Sequence, residues 1–266
     1  MFCDLMIRTG LRLAEQSALL VSEVPGKSSE LDFSTFWLPA AIAKGGSART
    51  VYVPRSVGSD LTDYAECDRR EVIERARAAG RYRLGEGALL IEAGRPDWAR
   101  GACGRRRVRL ANLSAQQRLQ LLVETDAGWE PAALWLSERG LPLSPDLWKK
   151  MFATANSRCQ TAGLDVTAHA HMLRHSFAVI TLEQLQRGHV AALAELTPEQ
   201  RGHYVRVFGD PLDWVRQRLG HRSIVTTQIY LHTLAELEMQ TRQALVPDDW
   251  ADPHRSAQST TGKSAW

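Results

Sequence analysis

The sequence of 266 residues has room for one large domain or two small ones. Hydrophobic residues make up 44% of it, which excludes a chain that is disordered throughout. No apolar run reaches the roughly 18 residues of a membrane span, and residues 1–12 lack the pattern of a secretory signal. The four cysteines are far apart and form no CxxC pair, which argues against a zinc site and fits reduced thiols in a cytoplasmic protein.

The net charge of +3 is only mildly basic and says little about partners. Its distribution says more, because six arginines crowd residues 95–109 with only Asp97 against them. These arginines are Arg95, Arg100, Arg105, Arg106, Arg107 and Arg109. A solvated loop and a phosphate-contacting surface are both compatible with this cluster, so both interpretations stay open.

The predicted elements begin with a helix, since apolar residues recur at helical spacing across residues 5–20. Segments 33–42 and 50–54 look extended and flank a turn-rich Lys-Gly-Gly-Ser stretch. This pattern predicts a β-hairpin with Lys44 at the end of its first strand. Ser59 or Asp60 can cap a helix that runs to about Ala79 and ends at Gly80.

Residues 83–113 are rich in glycine and arginine and resist assignment, apart from short strands predicted at 89–91 and 108–110. After them, capping residues mark several helix starts. The predicted starts are a capping box at Ser114, Ser144-Pro145 with a stop at Gly163, Thr197-Pro198, Asp210-Pro211 with a stop at Gly220, and Ser223 before Tyr230. A further helix is predicted over 171–187, stopped by Gly188. The fold class predicted is therefore mainly α with a small antiparallel β-sheet.

Three short sequence strings contain residue types that are typical of catalytic sites. They are TGLRLAE at 9–15, HMLRHSFA at 171–178, and LGH at 219–221 followed by TTQIYLH at 226–232. His171 and Arg174 are three residues apart on a predicted helix and so share one face. Transfer of a phosphodiester needs a nucleophile, neutralisation of the phosphate oxygens and a proton for the leaving oxygen. Tyrosine, arginine, histidine and lysine supply these roles.

Each string also has a structural interpretation when it is taken alone. An HxxR pair on a helix is usually structural, LGH is a plausible helix end with glycine as its cap, and a tyrosine on an amphipathic helix is usually core. The three strings together, in this order in one chain, are not expected by chance.

In combination the strings resemble the tyrosine recombinase (phage integrase) family, whose patterns read TGLRxxE, HxLRHxxA and LGHxxxxxTxxYxH. The resemblance covers about residues 5–245 and implies the catalytic-domain fold of that family. It also implies DNA breakage and rejoining through a 3′-phosphotyrosyl intermediate, with no metal or other cofactor. Implied partners are double-stranded DNA and other recombinase protomers in a tetrameric synapse, with no membrane partner. The location expected is the cytoplasm, in association with the nucleoid.

The resemblance also implies a role for each site residue. Arg12 and Arg174 would bind the phosphate, His171 would assist proton transfer, and His221 would hydrogen-bond a non-bridging oxygen. Tyr230 would be the nucleophile. Lys44 matches the family's hairpin lysine, which protonates the leaving 5′ oxygen, although Ala43 and Ala48 depart from the GKGxKxRxxP pattern. Glu15 is expected to brace Arg12 or the hairpin.

The organisation expected is a catalytic domain at 1–246, without the family's usual N-terminal DNA-clamping domain, and a disordered tail at 247–266. Residues 83–128 and the stretch between Arg174 and His221 are longer than the family pattern. The alternatives left open are an inactive integrase remnant with weak DNA binding, a relaxing topoisomerase or telomere-resolving enzyme of the same chemistry, and a generic interaction protein. His203-Tyr204 is rejected as the nucleophile because it lacks the LGH context.

Overall fold

A computed structural model describes residues 1–26, 32–85, 87–92, 94–102, 104 and 107–245. The tail predicted at 247–266 lies outside these residues, as do Arg105 and Arg106 of the arginine cluster. Across the described ranges, no helix is long and apolar enough to cross a membrane.

Helices form most of the described structure. They are α1 (Phe2–Thr9), α2 (Leu13–Ser17), α3 (Arg55–Glu66), α4 (Asp68–Ala78), α5 (Ala115–Arg118), α6 (Pro145–Thr161), α7 (Ala170–Glu195), α8 (Pro198–Phe208), α9 (Pro211–Leu219) and α10 (Val225–Leu245). The strands are β1 (Phe33–Leu38), β2 (Arg49–Pro54), β3 (Leu89–Glu92), β4 (Arg95–Gly101), β5 (Arg107–Arg109), β6 (Leu121–Thr125) and β7 (Gly128–Pro131). The predicted fold class, mainly α with a small antiparallel sheet, is confirmed.

The predicted hairpin is formed by β1 and β2, which pair antiparallel from Phe33 opposite Pro54 to Leu38 opposite Arg49. The prediction that Lys44 ends its first strand is wrong. Pro39 follows β1 directly, and a proline has no N–H to donate to the ladder. Lys44 instead begins a short 3-10 turn, Lys44–Gly46, that leads into β2.

A second sheet occupies much of the stretch that resisted assignment. Its strand order is β5-β4-β3-β6-β7, and every neighbouring pair is antiparallel except β3 with β6. The predicted strands at 89–91 and 108–110 correspond to β3 and β5. The inner face of this sheet packs around Ala99, Leu121 and Leu20, so the sheet covers the segment that follows α2.

The first predicted helix is interrupted, and so is the one predicted over 59–79. The run at 5–20 divides into α1 and α2, because Gly10 adopts a left-handed conformation with φ 66° and ends α1. The second run divides at Cys67 into α3, which already begins at Arg55, and α4. The buried guanidinium of Arg69 reaches the carbonyls of Pro131 and Ala133, which fixes the direction of α4.

The predicted helix starts at Ser144, Thr197 and Asp210 are confirmed, since each side chain accepts a hydrogen bond from the first turn of its helix. Gly220 ends α9 with φ 63°, also as predicted. The predicted stop at Gly188 is wrong, because α7 continues to Glu195. A glycine inside a helix costs about 1 kcal/mol but removes no backbone hydrogen bond, so it does not end the helix by itself.

Two hydrophobic clusters meet along α7. The first surrounds α1, the hairpin and α3, and includes the aromatic rings of Phe2, Trp135 and Trp148. The second joins α7, α9 and α10 and includes Phe177, Leu219 and Tyr230. Because α7 packs against both α1 and α9, the three sequence strings converge at its N-terminal half.

Gly10 is a position at which a side chain is poorly tolerated. Its φ is positive, and an added Cβ would lie 2.3 Å from the Phe177 ring. We expect Gly10→Ala to lower the free energy of unfolding by more than the roughly 1–2 kcal/mol that a left-handed conformation alone costs. Gly163→Ala is the matched control, since Gly163 has φ 73° with nothing within 4 Å. Equal destabilisation by the two substitutions in urea unfolding would contradict the packing of Gly10 against Phe177.

Candidate active site

Arg174 connects the three strings. It lies on α7 with only 4% of its surface exposed. One guanidinium nitrogen, Nη1, donates to the carbonyl of Gly10, and Nη2 donates to the carbonyl of Leu219 at 2.5 Å. The same side chain therefore bonds to the turn before Arg12 and to the end of α9 before His221.

Glu15 gathers the residues around Arg12. Arg12 is the N-cap of α2, and both its backbone N–H and its Nη1 donate to the Glu15 carboxylate, at 2.9 and 3.0 Å. Arg49 of β2 makes a two-pronged ion pair with the same carboxylate, at 2.7 and 3.2 Å. The backbone N–H of Lys44 donates to it at 3.3 Å. The sequence-based expectation that Glu15 braces Arg12 or the hairpin agrees with these contacts, which extend to both.

These contacts leave an excess of positive charge. Burial raises the pKa of Glu15, but hydrogen bonds and charge from Arg49 and then Arg12 outweigh it and lower the pKa to about 2. Burial, together with the charge of Arg12, lowers the pKa of Arg174 to about 9, so Arg174 remains charged at neutral pH. Two guanidinium groups thus pair with one carboxylate, and the charge of Arg174 acts on the same cluster, an arrangement that favours binding of an anion such as a phosphate.

His221 lies between Arg174 and Thr227. Its Nε2 is 3.4 Å from Nη2 of Arg174, and its Nδ1 is 3.0 Å from the hydroxyl of Thr227, a fully buried side chain. Burial, with Arg174 and Arg12 nearby, lowers the pKa of His221 to about 4, so the ring is neutral at pH 7. A neutral ring has one N–H, and the threonine hydroxyl can either donate to Nδ1 or accept from it.

Tyr230 lies on α10 beside the same groups. Its ring centroid is 5.0 Å from that of His175 and 6.2 Å from that of His221. The residue is 4% exposed. Burial raises the pKa of its phenol, while the charges of Arg174 and Arg12 act in the opposite direction. A neighbouring positive charge that favours the phenolate is suited to a tyrosine nucleophile.

His171 and Lys44 lie at the exposed side of the cluster. Partial burial lowers the pKa of His171, and the charges of Arg174 and, more weakly, Lys44 act in the same direction. Lys44 is held through its backbone, by Glu15 and by the hydroxyl of Ser47 at 3.0 Å, which leaves its ammonium group exposed.

Two residues of this site have no role that the sequence patterns predict. Arg49 belongs to the hairpin pattern, yet its Nε also donates to the carbonyl of Arg218 at 2.8 Å and so joins β2 to α9. Thr227 lies within the third string without a predicted function. For both residues the sequence offers one signal of a role in the site. A charged or polar side chain occupies a position that the alternation of a strand, for Arg49, or the periodicity of a helix, for Thr227, assigns to the interior. Within the described residues, no group of three or more His, Cys, Asp or Glu is arranged to hold a metal ion.

Comparison with known proteins agrees with the strings. No family model matches the sequence. The tyrosine recombinase XerD of Corynebacterium glutamicum is 36% identical over 104 residues, which are 39% of this chain and 25% of that protein. XerD of Bifidobacterium longum is 33% identical over 113 residues, 42% of this chain and 28% of that protein. The crystal structure of XerA recombinase aligns with a TM-score of 0.44 and 18% identity, covering 90% of this chain and 54% of XerA.

The predicted resemblance to the tyrosine recombinases is confirmed over these matched residues. The matched residues span about a quarter of the length of these curated relatives.

The charge of Glu15 gives a pH-dependent prediction. A carboxylate whose pKa is lowered by folding stabilises the fold above its unfolded pKa of about 4.5, and this stability is lost as the pH falls through about 2. We expect Glu15→Gln to cost about 3 kcal/mol at pH 7, and the difference from wild type to shrink between pH 4.5 and 2. Urea unfolding across this range tests it, with the exposed Glu71→Gln as control. A difference that does not change with pH would show that Glu15 is not held as a charged group.

Proposed function

We propose that residues 1–246 form the catalytic domain of a site-specific DNA recombinase, which cleaves and rejoins DNA through a covalent link to Tyr230. The observation that carries the proposal is the convergence of Arg12, Arg174 and His221 beside Tyr230, each brought by a different sequence string. The relation to tyrosine recombinases supports it. Double-stranded DNA is the proposed substrate, and other protomers of the chain are the proposed partners on that DNA.

The scissile phosphate would bind between the two arginines. Arg12 has one nitrogen on Glu15 and is 20% exposed, so the rest of its fork is available to a non-bridging oxygen. Arg174 supplies charge from within the protein, and its contacts with two carbonyls fix its position before the substrate arrives. Fixed donors of this kind stabilise the charge that develops in the transition state without reorganisation.

Cleavage then follows as a displacement at phosphorus. The phenol oxygen of Tyr230 forms a bond to phosphorus and its proton passes to His171. The bond from phosphorus to the 5′ oxygen breaks, and the ammonium of Lys44 gives that oxygen a proton. The product is a 3′-phosphotyrosyl link with a free 5′ hydroxyl. Attack by a 5′ hydroxyl of another strand reverses these steps, so no metal or nucleotide is required.

The nucleophile is tested by Tyr230→Phe, which removes only the phenol oxygen. We expect the variant to bind DNA but to form no SDS-resistant adduct with a nicked suicide substrate that traps the cleaved strand. Tyr204→Phe is the control, since Tyr204 lies on α8 and outside the third sequence string. A covalent adduct from the Tyr230 variant, or its loss only in the Tyr204 variant, would show that the nucleophile is assigned wrongly.

Thr227 is a positioning residue in this scheme. To donate a hydrogen bond to a phosphate oxygen, neutral His221 must carry its proton on Nε2. Its Nδ1 is then a hydrogen-bond acceptor, and the hydroxyl of Thr227, 3.0 Å away, can donate to it. Thr227 acts only through His221 and does not itself contact the substrate.

Thr227→Val keeps the shape of the side chain and removes its hydroxyl. We expect the single-turnover cleavage rate at saturating DNA to fall about 5- to 10-fold, as for loss of a hydrogen bond worth about 1 kcal/mol, with DNA affinity unchanged. Thr227→Ser should restore most of the rate, because it restores the hydroxyl. If the valine and serine variants cleave equally, the hydroxyl does not position His221.

A further inference from the structure

The arginine cluster at 95–109 is not used by the reaction. Its described arginines lie on β4 and β5, which pair antiparallel with Trp98 opposite Arg109 and Arg100 opposite Arg107. Because β5 is the edge strand of the five-stranded sheet, this hairpin forms the sheet's outer margin. Successive side chains of a strand point to opposite faces, so the register sorts the hairpin into two surfaces.

The inner surface is apolar and the outer one is basic. Ala99 and Val108 pack into the core between the sheet and the segment that follows α2. The alternate positions face outward, and they are Trp98, Arg100, Arg107 and Arg109, which we call the arginine face. Its three arginines are all exposed, and Trp98 is half-buried among them.

Neighbouring groups hold part of this surface in place. The guanidinium of Arg109 lies over the Trp98 ring, 5.3 Å from its centroid. Arg107 donates to Glu92 at 2.6 Å, and a groove beside them is lined by Glu92, Glu124 and Arg100. Stacking and ion pairing leave the outer edge of a guanidinium free, so these contacts orient the arginines without using all of their donors.

A buried arginine fixes the hairpin to the active-site segment. Arg118 is fully buried, and its guanidinium donates to the carbonyls of Ala18, Leu110 and Leu113 and pairs with Glu23 at 2.6 Å. Ala18 follows α2, whose N-cap is Arg12, and Leu110 follows β5 directly. Arg118 therefore fixes the hairpin that carries the arginine face to the segment that follows Arg12 and α2.

We propose that the arginine face binds the phosphate backbone of the DNA that flanks the cleaved phosphodiester. The inference rests on the proposed function, because it takes duplex DNA as the substrate. Arginine forks match phosphate oxygens in geometry as well as charge, and backbone contacts of this kind fix the register of a protein on a duplex. The alternative is that the charges only protect an edge strand from pairing with another chain, a role for which lysine is the usual residue.

The test compares two triple variants of the full chain. One carries Arg100→Gln, Arg107→Gln and Arg109→Gln. The control carries Arg70→Gln, Arg75→Gln and Arg158→Gln, three exposed arginines of α4 and α6, of which Arg75 pairs with Glu71 as Arg107 pairs with Glu92. Both variants remove three positive charges from the net charge of +3, so they do not differ in net charge.

Affinity for a fluorescent duplex of about 30 base pairs is measured by anisotropy at several salt concentrations. We expect the arginine-face variant to bind at least about tenfold more weakly, and its salt dependence to flatten by about 0.9 in slope for each phosphate that the variant no longer neutralises. The control should change by less than about twofold. Equal weakening of both variants would show that net charge alone acts and would overturn the proposal, as would no weakening of either.

A second variant works in the opposite direction and so does not depend on weakened binding. Glu92→Gln releases Arg107 from its ion pair, and we expect binding to tighten at least about twofold. If the arginine-face variant aggregates or fails to fold, Glu92→Gln decides alone: tighter binding supports the proposal, and unchanged or weaker binding overturns it in favour of edge protection.

The two proposals fail separately. Removal of the arginine face should weaken binding but leave covalent capture by Tyr230 intact at saturating protein. If wild type binds DNA through the arginine face but forms no adduct, the recombinase chemistry is wrong and the surface stands. If the adduct forms and neither the arginine-face variant nor Glu92→Gln alters affinity, the surface is wrong and the chemistry stands.

Discussion

The buried carboxylate of Glu15 is the interaction on which the rest of the site depends. It accepts hydrogen bonds from Arg12, from Arg49 of β2 and from the backbone at Lys44, so it fixes three separate pieces of chain at one point. A carboxylate with 1% exposure is costly unless it is paired, and here the arginines pair it. Because the arginines outnumber this carboxylate, positive charge remains after Glu15 is paired, and this charge can attract a phosphate.

Buried arginines also connect other parts of the chain. Arg69, Arg118 and Arg174 are all buried, and each donates to a backbone carbonyl of a distant segment. A guanidinium has five donors in a rigid fork, so it can satisfy carbonyls at the ends of helices and strands that have no partner within their own element. Arg174 differs from the other two in having the candidate active site on its other side. A group that holds the fold together there also supplies charge for the proposed chemistry, which ties stability to function at that position.

The five-stranded sheet extends this arrangement. Its inner face completes the core behind α2, and Arg118 fixes its margin to the segment that carries Arg12. A rigid connection of this kind lets an outer surface hold a constant distance from the active site. Alternate residues of β4 and β5 belong to the core and to the arginine face. The same two strands therefore stabilise the fold and form the outer surface.

The sequence by itself determined the local features. Side chains of Ser144, Thr197 and Asp210 start helices because a cap acts on backbone within three residues of it, and the hairpin follows from period-2 alternation around a glycine turn. The three strings also indicated which residues would share a site. Only the tertiary structure decided the breaks at Gly10 and Cys67, the continuation of α7 through Gly188, and the pairing of β3 with β6. These depend on contacts between residues far apart in the chain, such as Phe177 against Gly10 or Arg69 on the carbonyls beyond β7, and no local pattern encodes where such partners will lie.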